Sequence, residues 1–203
     1  MDLLLIRHGA TEWNATGRFV GRTDIPLSES GLQQAQALAE MLKDEPLSRI
    51  LSSDLGRART TAETLARGRD TVIELDARLR EFDFGLWEGL TWLEIIERFP
   101  ALTADHAHTA RLYAPEQGET FDHVCARVEP VLDEIVAAGA PSDHVALVAH
   151  AGVIHATLAV TLGIQFDTMA VSIKTGSVTR LTMKNGTWQL MDLSNVPTLD
   201  SAH

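Results

Sequence analysis

Leu3-Leu4-Leu5-Ile6 runs straight into Arg7-His8-Gly9, and Val145-Ala146-Leu147-Val148-Ala149 runs in the same way into His150-Ala151-Gly152. A short stretch that is apolar at every position, not at alternate ones, reads as a strand covered on both faces, as in the parallel sheets of α/β proteins. Both runs stop at a histidine followed within two residues by glycine. In such sheets ligands gather beyond the carboxyl ends of the strands, where helix N-termini also present free amides.

Working outward, Ser28 precedes Leu32, Ala35, Leu38, Ala39 and Leu42 at helical spacing, and Pro46 closes that pattern. Ile50-Leu51 reads as a second short strand, and Asp54 stands where it would cap a helix running to about Arg67, with Gly68 behind it. Residues 71–75 are β-branched and alternating, which predicts a third strand at an edge. Phe121, Val124, Val128, Leu132 and Ile135 predict a long helix with Pro130 as a point of kinking, and another helix follows Gly152 to about Leu162. Residues 177–183 and 187–193 flank Asn185-Gly186, a strong short-range hairpin signal. The alternation predicts a three-layer α/β/α sandwich with a mostly parallel sheet and an antiparallel hairpin, in a single domain spanning residues 1–203. Residues 85–118 have poor periodicity and hold His106 and His108, so they read as an insertion or lid.

Composition narrows the function classes. The net charge of −11, from 17 basic against 28 acidic residues, sets a field that repels nucleic acid and anionic membranes. An anionic substrate must therefore meet a local cluster of cations, and 14 of the 17 basic residues are arginine, the better fork for phosphate or carboxylate. The single cysteine, Cys125, cannot form an intrachain disulfide or a cysteine zinc cluster, and no apolar run approaches the roughly 18 residues of a spanning helix. These features lead to an expected cytoplasmic setting.

His8, Arg7, His150 and Arg57, the last in the first turn of a helix, converge by topology alone on one oxyanion-sized space. Each has an ordinary structural explanation taken singly; the convergence favours chemistry. The motifs extend to a resemblance. Residues 3–14, ending Arg7-His8-Gly9-Ala10-Thr11-Glu12-Trp13-Asn14, resemble the opening signature of the histidine phosphatase superfamily, in its phosphoglycerate mutase-like branch. Asp24-Ile25-Pro26-Leu27-Ser28 with Gly31, Ser53-Asp54-Leu55-Gly56-Arg57-Ala58-Arg59-Thr60-Thr61, the segment from Leu79 to Gly89, and His150-Ala151-Gly152 follow in matching order. Two positions depart from the pattern: Ala10 where Glu or Gln is usual, and Ala151 where Gly is common, whose methyl group threatens to crowd the phosphate.

The resemblance implies a metal-independent phosphomonoester hydrolase with no cofactor. It makes His8 the nucleophile, Glu81 the general acid and then base, and Arg7, Arg57 and His150 the phosphate ligands, with further contacts from Asn14, the backbone of Gly21, and Ala151. His150 is expected to be charged when the dianion is present. Asn14 reads equally as a turn residue. No Gly-x-x-x-x-Gly-Lys loop is present, and Cys125 lacks the arginine a cysteine phosphatase needs. The expected partner is a small phosphorylated metabolite, with α-ribazole 5′-phosphate one candidate, and a homodimer is allowed. Two other readings stand beside it: a phosphoglycerate mutase, made less favourable by Phe82-Asp83-Phe84 where mutases carry cationic or hydroxylated groups, and a catalytically silent phosphate-binding module. Trp13, Phe19, Phe82, Phe84 and Trp87 could wall an apolar leaving group or simply form core.

Overall fold

The computed structural model describes residues 1–100, 117–163 and 171–197 of the 203-residue chain. The two signature runs are strands β1 (Asp2–Arg7) and β4 (His144–Ala149), paired in parallel so that Leu3 lies beside Val145 and Arg7 beside Ala149. Around this pair, β2 (Leu47–Ser52), β3 (Ile73–Leu75), β5 (Val178–Lys184) and β6 (Thr187–Asn195) complete a six-stranded sheet in the order β3-β2-β4-β1-β5-β6. The pairings β1–β4, β2–β4 and β2–β3 are parallel; β5 joins β1 and β6 in antiparallel fashion. The hairpin turns at Asn185 and Gly186, both at positive φ (52° and 77°), the pair of left-handed residues a type I′ turn requires.

Alternation along the central strands explains the layers. Leu3, Leu5, Val145, Leu147 and Ala149 face one core with Phe121, Val124, Val128, Leu132 and Ile135 of α5 (Phe121–Ala138) and Val153, Ile154 and Leu158 of α6 (Ala151–Leu162). Leu4, Ile6, Ala146 and Val148 face the other, against Leu38 of α2 (Glu29–Met41) and Ala58, Ala62 and Leu65 of α3 (Gly56–Ala66). A strand buried on both faces must be apolar throughout, which is why β1 and β4 do not alternate. The expected three-layer sandwich is the observed architecture. Helix α1 (Glu12–Ala15) is a single turn after β1, and α4 (Trp92–Arg98) follows short 3-10 turns at Ala77–Leu79 and Gly85–Trp87.

Two local expectations differ from the observed structure. Asp54 does not cap α3: Leu55 occupies the N-cap without a side-chain bond, and Asp54 instead holds Arg80 with two bonds of 2.6 and 2.7 Å. The third strand is shorter than 71–75, because only residues 73–75 find partners on β2 at the sheet edge. Pro130 lies inside one continuous helix, α5. The lid reading falls in part on residues 101–116, with His106 and His108, which lie outside the described residues.

Candidate active site

Parallel pairing of β1 and β4 up to Arg7 and Ala149 leaves His8 and His150 side by side beyond the last rung of the ladder. Their ring centroids lie 5.0 Å apart at an interplanar angle of 62°, and both residues are buried. His8 donates its backbone N–H to Ala149 O (3.0 Å) and its Nδ1–H to Gly9 O (2.6 Å). A carbonyl can only accept, so this bond places the proton on Nδ1 and leaves Nε2 with its lone pair. Burial, then Arg57, then Arg7 push His8 well below the usual histidine range, against the opposing pull of the Gly9 carbonyl. The ring is therefore neutral, with a basic nitrogen beside two guanidiniums. Gly9 itself is held from behind: a Cβ there would sit 2.2 Å from Gly31 O, so the loop and the start of α2 approach as only two glycines can.

Arg57, fully buried in the first turn of α3, donates Nη2 to Gly21 O (2.6 Å) and Nη1 to Thr23 O (3.0 Å). The loop supplying those carbonyls is anchored by Glu88, which accepts from the backbone N–H groups of Arg22 and Thr23 and from the Thr23 hydroxyl, and by Asp24, which accepts from Gly56 N (2.8 Å). Thr61 Oγ1 donates to Arg57 O (2.8 Å) and accepts from Gly9 N (3.2 Å), tying the histidine loop to α3. Arg7 donates Nη1 to Ile173 O. Burial pulls both guanidiniums down, with Glu81 opposing. After these bonds, Arg7 Nε, Arg57 Nε and His150 Nδ1 are buried with no partner inside the protein. Two unpaired guanidinium N–H groups and an unpaired imidazole nitrogen near the neutral His8 ring are costly for a folded chain, and an anion would satisfy the N–H groups.

Glu81 is buried and sits at the N-terminus of α6. Its carboxylate accepts from Phe82 N (2.9 Å) and from Gly152 N at both oxygens (3.1 and 3.2 Å). Arg127 on α5 holds the same residue from its backbone, donating Nη2 to Glu81 O (3.1 Å). Gly152 is obligatory for this contact: a Cβ there would lie 2.3 Å from Phe82 Cδ2 and 2.4 Å from Glu81 Oε1. This crowding by Glu81 and Phe82 is separate from the expected crowding of a phosphate by the Ala151 methyl group. Ala151, the first residue of α6 and only partly buried, keeps its methyl group.

Asn14 takes the structural alternative at one end of its amide: Oδ1 accepts from Thr11 N and Oγ1 (both 3.0 Å), closing a capping box on α1. With Arg7, Gln34, Lys174, Thr175 and others it also lines a cavity of about 510 Å³, which shares Arg7 with the histidine cluster. Gly21 contributes its carbonyl to Arg57. The aromatic residues are mainly packing. Phe19 and Phe84 pack with Trp87 and Ile95, half-exposed Trp92 leans on Phe19 and Trp87, and Phe82 stacks on Phe84 (5.7 Å) and Phe121 (6.2 Å). The sequence alone assigns no role to Ser53, Thr61, Glu88, Arg127 or Gly152. Ser53 and Thr61 do open and close the motif that contains Arg57, and that was the available signal.

Among the described residues, one group has metal-ligand spacing: Asp2, Glu45 and His144, at the amino ends of β1 and β4 and so at the far end of the sheet. Arg180 already occupies it, with bonds of 3.0 and 2.7 Å to Glu45 and 3.3 Å to Asp2. At the histidine cluster, the guanidiniums of Arg7 and Arg57 oppose a cation, and the one carboxylate, Glu81, is engaged by N–H groups. No helix among the described residues is long and apolar enough to cross a membrane.

Residues 3–196 match the family model of the histidine phosphatase superfamily, branch 1. The chain is 41% identical over 176 residues to a glucosyl-3-phosphoglycerate phosphatase of Mycolicibacterium vanbaalenii, covering 83% of this chain and 77% of the relative. It is 35% identical over 204 residues to a metal-independent phosphoserine phosphatase of Arabidopsis thaliana, covering 98% and 84%. Among solved structures, that of a putative α-ribazole-5′-phosphate phosphatase from Escherichia coli superposes with a TM-score of 0.84 at 26% identity, covering 96% of each chain.

Proposed function

Because the chain belongs to the histidine phosphatase superfamily and is a phosphoric monoester hydrolase of that type, we propose that it acts without metal through a phosphohistidine on His8. The observation that carries this reading is the Nδ1–H bond from His8 to Gly9 O, which leaves Nε2 unprotonated near the guanidiniums of Arg7 and Arg57. In the first step Nε2 attacks phosphorus, the N–P bond forms and the P–O bond to the leaving group breaks. Glu81, in its protonated form, gives its proton to the departing oxygen. In the second step Glu81 takes a proton from water as the water oxygen attacks phosphorus, and the N–P bond breaks to release inorganic phosphate and neutral His8.

Charge stabilisation falls to Arg7, Arg57 and His150, whose unpaired donors suit the equatorial oxygens of a transferring phosphoryl group. Gly21 and Thr23 act through Arg57, whose orientation their carbonyls set. Asn14 and Ala151 are proposed as flanking substrate contacts, Asn14 supported by sharing with Arg7 the lining of the 510 Å³ cavity. The substrate is a small phosphorylated metabolite in the cytoplasm. α-Ribazole 5′-phosphate remains one candidate, and the names of the relatives add glucosyl-3-phosphoglycerate and phosphoserine to the set worth assaying.

The test is p-nitrophenyl phosphate hydrolysis in the presence of a chelator, followed by a screen of those three esters. Turnover that persists with chelator and disappears in His8→Ala supports the mechanism; a requirement for added metal sinks it. Strong phosphoryl transfer between phosphoglycerate hydroxyls would instead assign a mutase.

A further inference from the structure

His150 has two ring nitrogens with different surroundings. Nε2 lies 2.9 Å from Ser53 Oγ, and Nδ1 is buried with no partner inside the protein. If His150 is to serve a phosphoryl oxygen, only Nδ1 is free to do so, and in a neutral ring it must then carry the proton. Ser53 is the group that faces the other nitrogen.

Ser53 is itself fully buried, in the turn between β2 and α3. Its backbone is fixed at both ends: its N–H donates to Val148 O (2.9 Å), and its carbonyl accepts from Ser52 Oγ (2.9 Å). The hydroxyl oxygen accepts from Leu55 N (3.3 Å). A hydroxyl has one hydrogen and two lone pairs; with the Leu55 N–H on one lone pair, the hydrogen remains to be placed. Among the described residues the acceptor within reach is His150 Nε2. Burial, then Arg57, His8 and Arg7, push His150 well below the usual histidine range, so the ring is neutral and its tautomer is a real choice.

We infer that Ser53 is a positioning residue: by donating its hydroxyl hydrogen to His150 Nε2 it places the ring proton on Nδ1, so that His150 offers a ready N–H to the phosphoryl group. The consequence is symmetrical. Gly9 O, an acceptor, sets His8 as the Nδ1–H tautomer with a free lone pair for attack. Ser53, a donor, sets His150 as the Nδ1–H tautomer with a free hydrogen for binding. Two neutral imidazoles 5.0 Å apart are thus given opposite tasks by the groups that hold them. The expectation of a charged His150 becomes unnecessary, since the neutral ring already donates.

The inference deepens the phosphatase reading and rests on it for its use, but its core can be read without substrate. Full-length chain labelled with ¹⁵N in histidine would be examined by long-range ¹H–¹⁵N correlation, with His150→Gln identifying the His150 signals. The expected result is a protonated Nδ1 and an unprotonated, hydrogen-bonded Nε2. A protonated Nε2 in the wild-type chain overturns the inference outright.

Ser53→Ala should remove the preference and mix the tautomers. It should also lower kcat for p-nitrophenyl phosphate and raise the vanadate inhibition constant, each on the order of three- to tenfold, the worth of one hydrogen bond. Ser53→Thr, which keeps the hydroxyl, should retain the wild-type tautomer. An Ala variant with unchanged tautomer and unchanged vanadate inhibition contradicts the proposal; should that variant fail to fold, the wild-type spectrum still decides. Unimpaired hydrolysis by His8→Ala would sink the phosphohistidine while leaving the tautomer result intact, so the two failures are distinguishable.

Discussion

Replacing Gly152 with alanine is the most exacting test of how Glu81 is held. At an ordinary position in the first turn of a helix the change would stabilise, since alanine is favoured over glycine by about 1 kcal/mol. Here the new methyl would lie 2.4 Å from Glu81 Oε1 and 2.3 Å from Phe82 Cδ2. Restoring ordinary carbon contact at about 3.5 Å requires the carboxylate or the ring to retreat by roughly 1 Å. Overpacking of this kind costs about 1–3 kcal/mol, enough to cancel the helix gain or reverse it. The retreat also breaks the paired bonds from Gly152 N, now 3.1 and 3.2 Å, that aim the carboxylate. A misplacement near 1 Å at a reacting group costs about 100-fold in rate.

The expected outcome for Gly152→Ala is therefore a kcat about 100-fold lower, with a thermal midpoint equal to the wild type or below it. Assaying p-nitrophenyl phosphate beside phenyl phosphate locates the defect: the poorer leaving group needs the proton from Glu81 more, so its loss should be larger. A variant that is more stable than wild type and fully active on both esters would refute the assignment of Glu81 and the packing argument together.

Other outcomes follow from the same geometry. Glu88→Gln, which weakens the anchor of the loop whose carbonyls hold Arg57, should raise the phosphate inhibition constant by about tenfold, with a smaller effect on stability; unchanged inhibition would remove Glu88 from the supporting structure. His8, His150 and His155 all have folded-state values below the usual 6.5, by burial first in each case. The unfolded chain therefore binds more protons below that value, and stability should be greatest above about pH 6.5, then fall on acidification by up to about 1.4 kcal/mol per pH unit for each histidine. Denaturant titrations from pH 7.5 to 5 that show no such slope would contradict neutral burial. For the same reason, the acidic limb of kcat/KM should lie below the ordinary histidine range, measurable with a fixed-ionic-strength buffer series. Thr11→Ala should cost about 1 kcal/mol by opening the capping box with Asn14, as urea unfolding would show.

Much of the molecule was legible in the chain itself, because the relevant physics is local. Uninterrupted apolar runs marked β1 and β4 as strands covered on both faces, helical spacing marked α2 and α5, and Asn185-Gly186 specified its turn through φ values that few other residues accept. Strand ends also located His8, His150 and Arg57, since the topology of a parallel sheet brings such ends together whatever the details. Tertiary structure alone settled what each group does with its hydrogen-bonding atoms. Asp54 satisfied the pattern for a cap yet pairs with Arg80, 26 residues away, because a competing partner of opposite charge lies within reach only after folding. Gly152 is crowded by atoms of residues 81 and 82, which reach it only after folding. The proton positions on the two histidines depend on Gly9 O and Ser53 Oγ, the second 97 residues distant in sequence. A window of residues encodes conformation, whereas tautomers, desolvation and close approach are set by neighbours that exist only once the chain has closed on itself.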